Sequence, residues 1–231
     1  MRHSGATLQL SPLHCNNIPS FIHSVLFNTI QHHVSFLAKL KISRDMSSTA
    51  PISLHEAPRD LKQITAIDTS LVFPSFTSDT AWALGTLLRA RLLAFTNPTV
   101  VHVSLANSNQ LLFYTTVKSG TTPDNDRWVA RKRNTVLRFG TSTWFMHNKF
   151  QGDEPAFAAK YGLGDTAGQY AIHGGGFPVR VRGVEGVVAV VVVSGLKQDE
   201  DHQIVVQTIS DYLESLGEDG VALEAEKKKE D

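Results

Sequence analysis

A single cysteine, Cys15, stands among 231 residues. No disulfide can therefore close within the chain, and the expected setting is a reducing one, the cytoplasm. Surplus charge is missing too, since 22 Lys and Arg balance 22 Asp and Glu. Proteins that grip a phosphate backbone show a basic excess, so nucleic acid is not an expected partner. The longest apolar run, Val187–Val193, falls far short of the ~20 residues that a membrane helix needs, so a soluble protein with no membrane partner is expected. Neither the spacing of a phosphate-cradling Walker loop nor that of a dinucleotide fingerprint is present.

Acidic residues are lacking over one stretch in particular: none precedes Asp45, while that segment holds five of the ten histidines and the cysteine. An acid-poor start is one mark of mitochondrial targeting, but arginine is sparse and no amphipathic arginine face forms. The preferred reading of residues 1–45 is disorder, or an over-long start ahead of an alternative initiator at Met46. The Ser/Pro-rich residues 46–58 read as linker. The expected organisation is an extension and linker over 1–58, a domain over 59–217, and a charged flexible tail over 218–231.

Within the domain, Asp60–Ile67 reads as a short helix and Leu71–Phe76 as a short strand. Ser78 and Asp79 open a helix to about Phe95 with Trp82, Leu84, Leu87, Leu88 and Leu92 on its buried face. Thr99–Leu105 alternates as a strand, and Gln110–Val117 returns it as a hairpin. Thr122, Pro123, Asp124 and Asp126 open the next helix, and Gly140 ends it. A short helix through Trp144 and Phe145 follows, then a polar loop from Lys149 to Gly168. Tyr170–Arg182 is extended but interrupted by His173-Gly174-Gly175-Gly176. Val187–Ser194, apolar throughout, is a central strand, and Lys197–Leu216 is the closing helix. Helices alternating with hairpin-linked strands imply an α+β domain with an antiparallel sheet.

Two places could carry chemistry. On the helix from Thr122, Arg127, Arg131 and Arg138 fall on one line beside Trp128, an arrangement suited to an acidic planar ligand or to a subunit interface. The second place is the glycine run. A turn at Gly183–Gly186 would set residues whose numbers sum to about 369 opposite one another, bringing Gly175 to Ser194. His173, Gly174, Gly175, Gly176, Ser194, Lys197 and His202 then become candidates for a ligand site, with the glycines offering either an anion nest or a close backbone approach. His173, Asp199 and His202 are the one candidate metal set, against the alternative of hydrogen-bonded structural histidines. Ser194 lacks the sequence of a nucleophile elbow, and no catalytic residue is assigned.

The segments DNDRWVARKRNTVLRFGTSTWF, YAIHGGGFPV and VVSGLKQDEDH, in this order and spacing, resemble a family related to the haem-degrading domain proteins, the GlcG/HbpS-like group. The resemblance spans Leu71 to Leu216. It implies a profilin-like fold, a five-stranded antiparallel sheet between helices, and assembly into symmetric homo-oligomers. It also implies haem as a possible cofactor, or another small acidic ligand; the resemblance assigns no haem contact residue by residue, and ligation by His173 or His202 is expected only from their predicted convergence. The alternative is a non-catalytic oligomeric interaction module.

Overall fold

The computed structural model describes residues 53–230, with side chains described to residue 217; the expectations for residues 1–45, and for the linker before residue 53, lie outside the described residues. Helix α1 (Leu61–Ser70) starts where Asp60 accepts Gln63 N–H. Strand β1 (Val72–Phe73) leads into α2 (Ser78–Leu92), whose capping box joins Thr77 and Thr80. Strands β2 (Thr99–Leu105) and β3 (Leu111–Val117) form the hairpin read from the sequence. Helix α3 (Pro123–Phe139) begins after Thr122 and ends at left-handed Gly140, and α4 (Thr143–Lys149) follows with Ser142 as its cap.

The stretch read as one polar loop contains order. Asp153 accepts Ala156 N–H, Pro155 occupies the first turn, and the alanine-rich residues wind helix α5 (Glu154–Lys160). A 3₁₀ turn, Gly164–Gln169, completes the segment. Strands β4 (Gly176–Val181) and β5 (Ala189–Ser194) then pair, and α6 runs Gln198–Glu230. Helical backbone thus continues into the stretch read as a flexible tail.

The α+β fold with a five-stranded sheet is as expected, with one refinement. The strand order is β1-β4-β5-β2-β3, antiparallel except that β1 runs parallel to β4. Two strands and four helices separate β1 from β4 along the chain, so no tight turn constrains their relative sense. Odd-numbered residues of β5, Val191 and Val193, pack under α2 and α6 with Leu84, Leu88, Ile204 and Ile209. Even-numbered Val190 and Val192 pack under α3 with Val129 and Val136. Both faces are covered, which is why β5 is apolar throughout. Among the described residues, no helix is long and apolar enough to cross a membrane.

Part of the stretch read as linker packs on the domain. Trp144 is fully buried and donates its indole N–H to Pro58 O at 2.7 Å. A buried indole without an acceptor is costly, so the approach of residues 57–59 follows from that tryptophan.

The β4–β5 register differs by one residue from the sequence expectation. Gly176 pairs with Val192, and Val193 N–H donates to Gly175 O at 3.0 Å, so Gly175 faces Val193 and not Ser194. The connection is longer than the four-residue turn, with Val188 N–H already bonded to Val179 O. Gly175 has φ of 112°, and a Cβ there would stand 2.3 Å from Val193 O. Gly175→Ala should therefore destabilise the domain by about 3 kcal/mol or more, from overpacking plus backbone strain. Gly168→Ala, with nothing within 4 Å of an added Cβ, should stay within about 0.5 kcal/mol. Urea denaturation of both variants checks the contrast, and equal losses would contradict it.

Candidate functional site

The helix pair α3 and α6 is joined through the sheet by one buried ion pair. Lys132 Nζ lies 2.9 Å from Asp201 Oδ2, and both side chains are 3% exposed. Lys132 also donates to Val193 O at 3.0 Å. Asp201 accepts Leu196 N–H at 3.0 Å and Gly195 N–H at 3.3 Å. The carboxylate thus ties the β5–α6 turn to α3. Burial pushes the Asp201 carboxyl up, opposed by the Lys132 charge and the two amide donors.

Above this pair, between the first turns of α3 and α6, opens a cleft of about 630 Å³. Trp128 and His173 form one wall, with their rings edge to face at 4.9 Å, and the chain from Ser194 to Asp199 forms the other. Lys132 and Asp201 lie at its base, and Thr122, Asp124 and Asn125 at its rim. Ser194 projects to the α3 side of the sheet, on the same side as Val192. Its residue is 6% exposed, and its hydroxyl has no hydrogen-bond partner among the described residues, nor is it sealed away. A buried hydroxyl left open in this way faces the cleft.

The structure places His173, Ser194 and Lys197 around the cleft, together with Asp199 and, from the arginine helix, Trp128. It separates His202 from them. His202 is fully buried, stacked on Trp144 at 5.8 Å and tilted against Phe177 at 6.3 Å, behind the cleft. Neither ring nitrogen has a partner, and burial lowers its pKa to about 3. The set His173, Asp199 and His202 is thus not brought together, and among the described residues no group of three His, Cys, Asp or Glu could hold a metal ion. The β4–β5 register does not decide this, because His202 is carried by α6 and its place on that helix turns it into the core against Trp144 and Phe177.

The glycine run serves close packing. A Cβ on Gly174 would stand 2.1 Å from Gln198 O, and one on Gly175 would stand 2.9 Å from Lys132 Nζ. Gly174, Gly175 and Gly176 are buried and absent from the cleft wall. They let the backbone lie against α6 and the ion pair, the second of the two roles considered.

The arginine row does not act as a unit. Arg131 donates to Tyr170 O at 3.0 Å, reaches both oxygens of Glu154 at 3.4 Å, and lies 4.4 Å over the Trp128 ring. Arg138 donates to Tyr170 Oη at 3.2 Å from an exposed position, and Arg127 is exposed. The buried cations of this helix are Lys132 and Arg133, which the row passed over. Arg133 donates to Ser104 Oγ at 2.7 Å and Leu105 O at 2.9 Å, and Ser104 in turn meets His102 Nε2 at 2.9 Å.

Residues 76–210 match the family model described as "Haem degrading protein HbpS-like". A UPF0303 protein of Streptomyces coelicolor is 43% identical over 143 residues, covering 62% of this chain and 87% of that protein. Another, from Brucella anthropi, is 38% identical over 168 residues, covering 73% and 94%. The crystal structure of the Ybr137w protein superposes with a TM-score of 0.63 at 31% identity, covering 68% of this chain and 90% of that one. That of HbpS gives 0.46 at 19%, covering 60% and 89%.

His202 makes a pH-dependent contribution. The unfolded chain takes up its proton near pH 6.5, and the folded chain only near pH 3. Stability is thus full above pH 6.5 and falls as pH drops toward 3, by up to about 5 kcal/mol from this group. His202→Phe should keep the stack on Trp144 and remove that part of the acid sensitivity. Urea denaturation from pH 7 to 4 checks it; parallel curves for the two proteins would contradict it.

Proposed function

The chain belongs to the HbpS-like family of haem-degrading proteins, and on that footing we propose that it binds a compact polar molecule in the cleft between the starts of α3 and α6. The observation that carries this reading is the open Ser194 hydroxyl above a buried Lys132–Asp201 pair. Polar side chains buried this deeply normally satisfy one another completely, and here the hydroxyl and one Lys132 N–H are left for something else.

Haem fits this lining poorly. A macrocycle needs an apolar slot and cations for its carboxylates, while only Trp128 and Leu196 are apolar among the cleft residues. Asp124, Asp199 and Asp201 outnumber Lys132 and Lys197 there, and Lys132 is already paired. Of the two histidines considered as axial ligands, His202 is sealed in the core. The residues present support a smaller ligand with both donors and acceptors.

A second reading, a homo-oligomeric interaction module, is supported by a different part of the surface. Strand β3 ends the sheet, and Trp82 (67% exposed) packs on Phe113 beside exposed Leu111 and Tyr114. An edge strand flanked by an exposed tryptophan suits a self-complementary contact.

Chemical-shift mapping of the full chain with millimolar glycerol and propylamine, and with acetate as the non-binding control, tests the first reading. Shifts centred on Ser194–Asp199 and Thr122–Lys132 are expected, and should vanish in Ser194→Trp. Shifts confined to the β3 edge, or none, would overturn it. Haem added to the same protein should give a spectrum that His173→Ala leaves unchanged. Light scattering of Trp82→Glu reads the second: a smaller particle supports assembly through β3, and an unchanged mass refutes it.

A further inference from the structure

His173 presents two ring nitrogens to different surroundings. Nδ1 is sealed from solvent and lies 3.3 Å from Glu154 Oε1, within ion-pair reach though off the line of a good hydrogen bond. Nε2 is not sealed, has no partner among the described residues, and belongs to a ring that lines the cleft. Catalytic hydrogen bonds are often this loose without ligand and tighten when it binds.

Glu154 is held in place from two sides. It opens α5, whose first turn is fixed by the Asp153 cap. Arg131 spans both its oxygens at 3.4 Å and is itself anchored on Tyr170 O at 3.0 Å. The Arg131 guanidinium covers one side of the Trp128 ring, Trp128 Nε1 donates to Asp124 Oδ2 at 3.2 Å, and Trp128 meets His173 edge to face. The contacts close into a loop, so the imidazole has little freedom to turn.

An ionised carboxylate only accepts, so the nitrogen facing it carries the proton and the other keeps its lone pair. The surroundings also keep the ring neutral. Burial lowers the His173 pKa; Glu154 opposes this, and Lys132 and Arg131 add to it. His147, from α4, interacts with the ring as well and has its own pKa lowered by burial. These are the charged and titratable groups facing it.

We infer that Glu154, His173 and Arg131 form a proton-accepting relay, and that the molecule taken into the cleft presents an O–H or N–H to His173 Nε2. This rests on the cleft reading above. It narrows the ligand class to neutral or cationic proton donors, because an anion would meet a lone pair and three carboxylates at Asp124, Asp199 and Asp201. Across the cleft, Ser194 Oγ and the remaining Lys132 N–H suit an oxygen of the same molecule. Where the proton transfers, it passes from the ligand O–H or N–H to Nε2. The imidazolium is then balanced by Glu154, and the ligand's conjugate base is held by Lys132 and Ser194. Glu154 acts as a positioning residue, and His173 is the group that touches the ligand.

Long-range ¹H–¹⁵N spectra of the full chain, with the His173 signal assigned against His173→Gln, read the relay directly. The Nδ1–H tautomer is expected at pH 7, with titration below 6.5. Glu154→Gln should shift the tautomer ratio toward Nε2–H by about five-fold, the equivalent of a hydrogen bond near 1 kcal/mol. It should also lower the His173 pKa further, since Glu154 raises it. Carbethoxylation of Nε2 by diethyl pyrocarbonate, followed by mass spectrometry, should slow in proportion to the fraction of Nδ1–H tautomer lost. A purely structural Glu154 would leave tautomer and reactivity unmoved, which overturns the relay, as does a dominant Nε2–H form in the wild type. The tautomer is read without ligand, so failure of the relay and failure of the cleft reading are separately visible.

Discussion

Burying one lysine against one aspartate organises this domain more than any other single contact. Lys132 and Asp201 come from α3 and α6, on opposite faces of the sheet, and meet at 2.9 Å past the end of β5. An ion removed from water costs several kcal/mol, and only near-complete coordination recovers it. The coordination here comes from Val193 O for the lysine and from the amides of Gly195 and Leu196 for the aspartate. Those partners exist only if β5 ends at Ser194 and the chain turns at once into α6. The glycines at 174 and 175 follow from the same constraint, since the neighbouring strand must pass within contact distance of the pair. The ion pair therefore fixes the position of the β4 lead-in, the β5 terminus and two helix starts, and the cleft is the space left between them.

The charge pattern around that space argues against an anion hole. Helix N-termini attract anions, and two of them meet here. Each already carries its own acids: Asp124 and Asp126 in α3, and Asp199, Glu200 and Asp201 in α6. Glu200 and Asp201 take amides of the α6 entry, and Asn125 takes Thr122 N–H. The sequence expectation of an acidic ligand rested on arginines, but Arg131 is engaged by Glu154 and Tyr170, Arg138 by Tyr170 and Tyr161, and exposed Arg127 does not line the cleft. What remains facing the cleft is the His173 ring, the Ser194 hydroxyl, one Lys132 N–H and the exposed Lys197.

The fold was readable because its signals are periodic and local. Alternation across Thr99–Leu105, the all-apolar β5, and the Thr122-Pro123 and Gly140 boundaries of α3 each reflect one element's own chemistry. The site was less readable because it depends on register and on pairs distant in sequence. A turn longer than assumed moved β4 by one residue, which kept His173 and Ser194 at the cleft but could not bring His202 there. Helix α5 escaped notice inside a Gly-rich stretch, and with it Glu154, although Asp153-Glu154-Pro155 is a capping signal. Lys132 and Arg133 were visible in principle. They sit with Val129 and Val136 at i, i+3, i+4 and i+7, the buried face of the helix, and a cation on that stripe must have a buried partner.

The most direct measurement is a double-mutant cycle on Lys132→Met and Asp201→Asn, read by urea denaturation at pH 7. Each single change should cost about 3–5 kcal/mol, because it leaves the other group buried without its partner. The double variant should lose less than the two singles together, by about 2–3 kcal/mol, with the resonances of Ser194–Asp199 displaced in all three proteins. Additive losses within about 0.5 kcal/mol, or an undisturbed β5–α6 turn, would contradict the account.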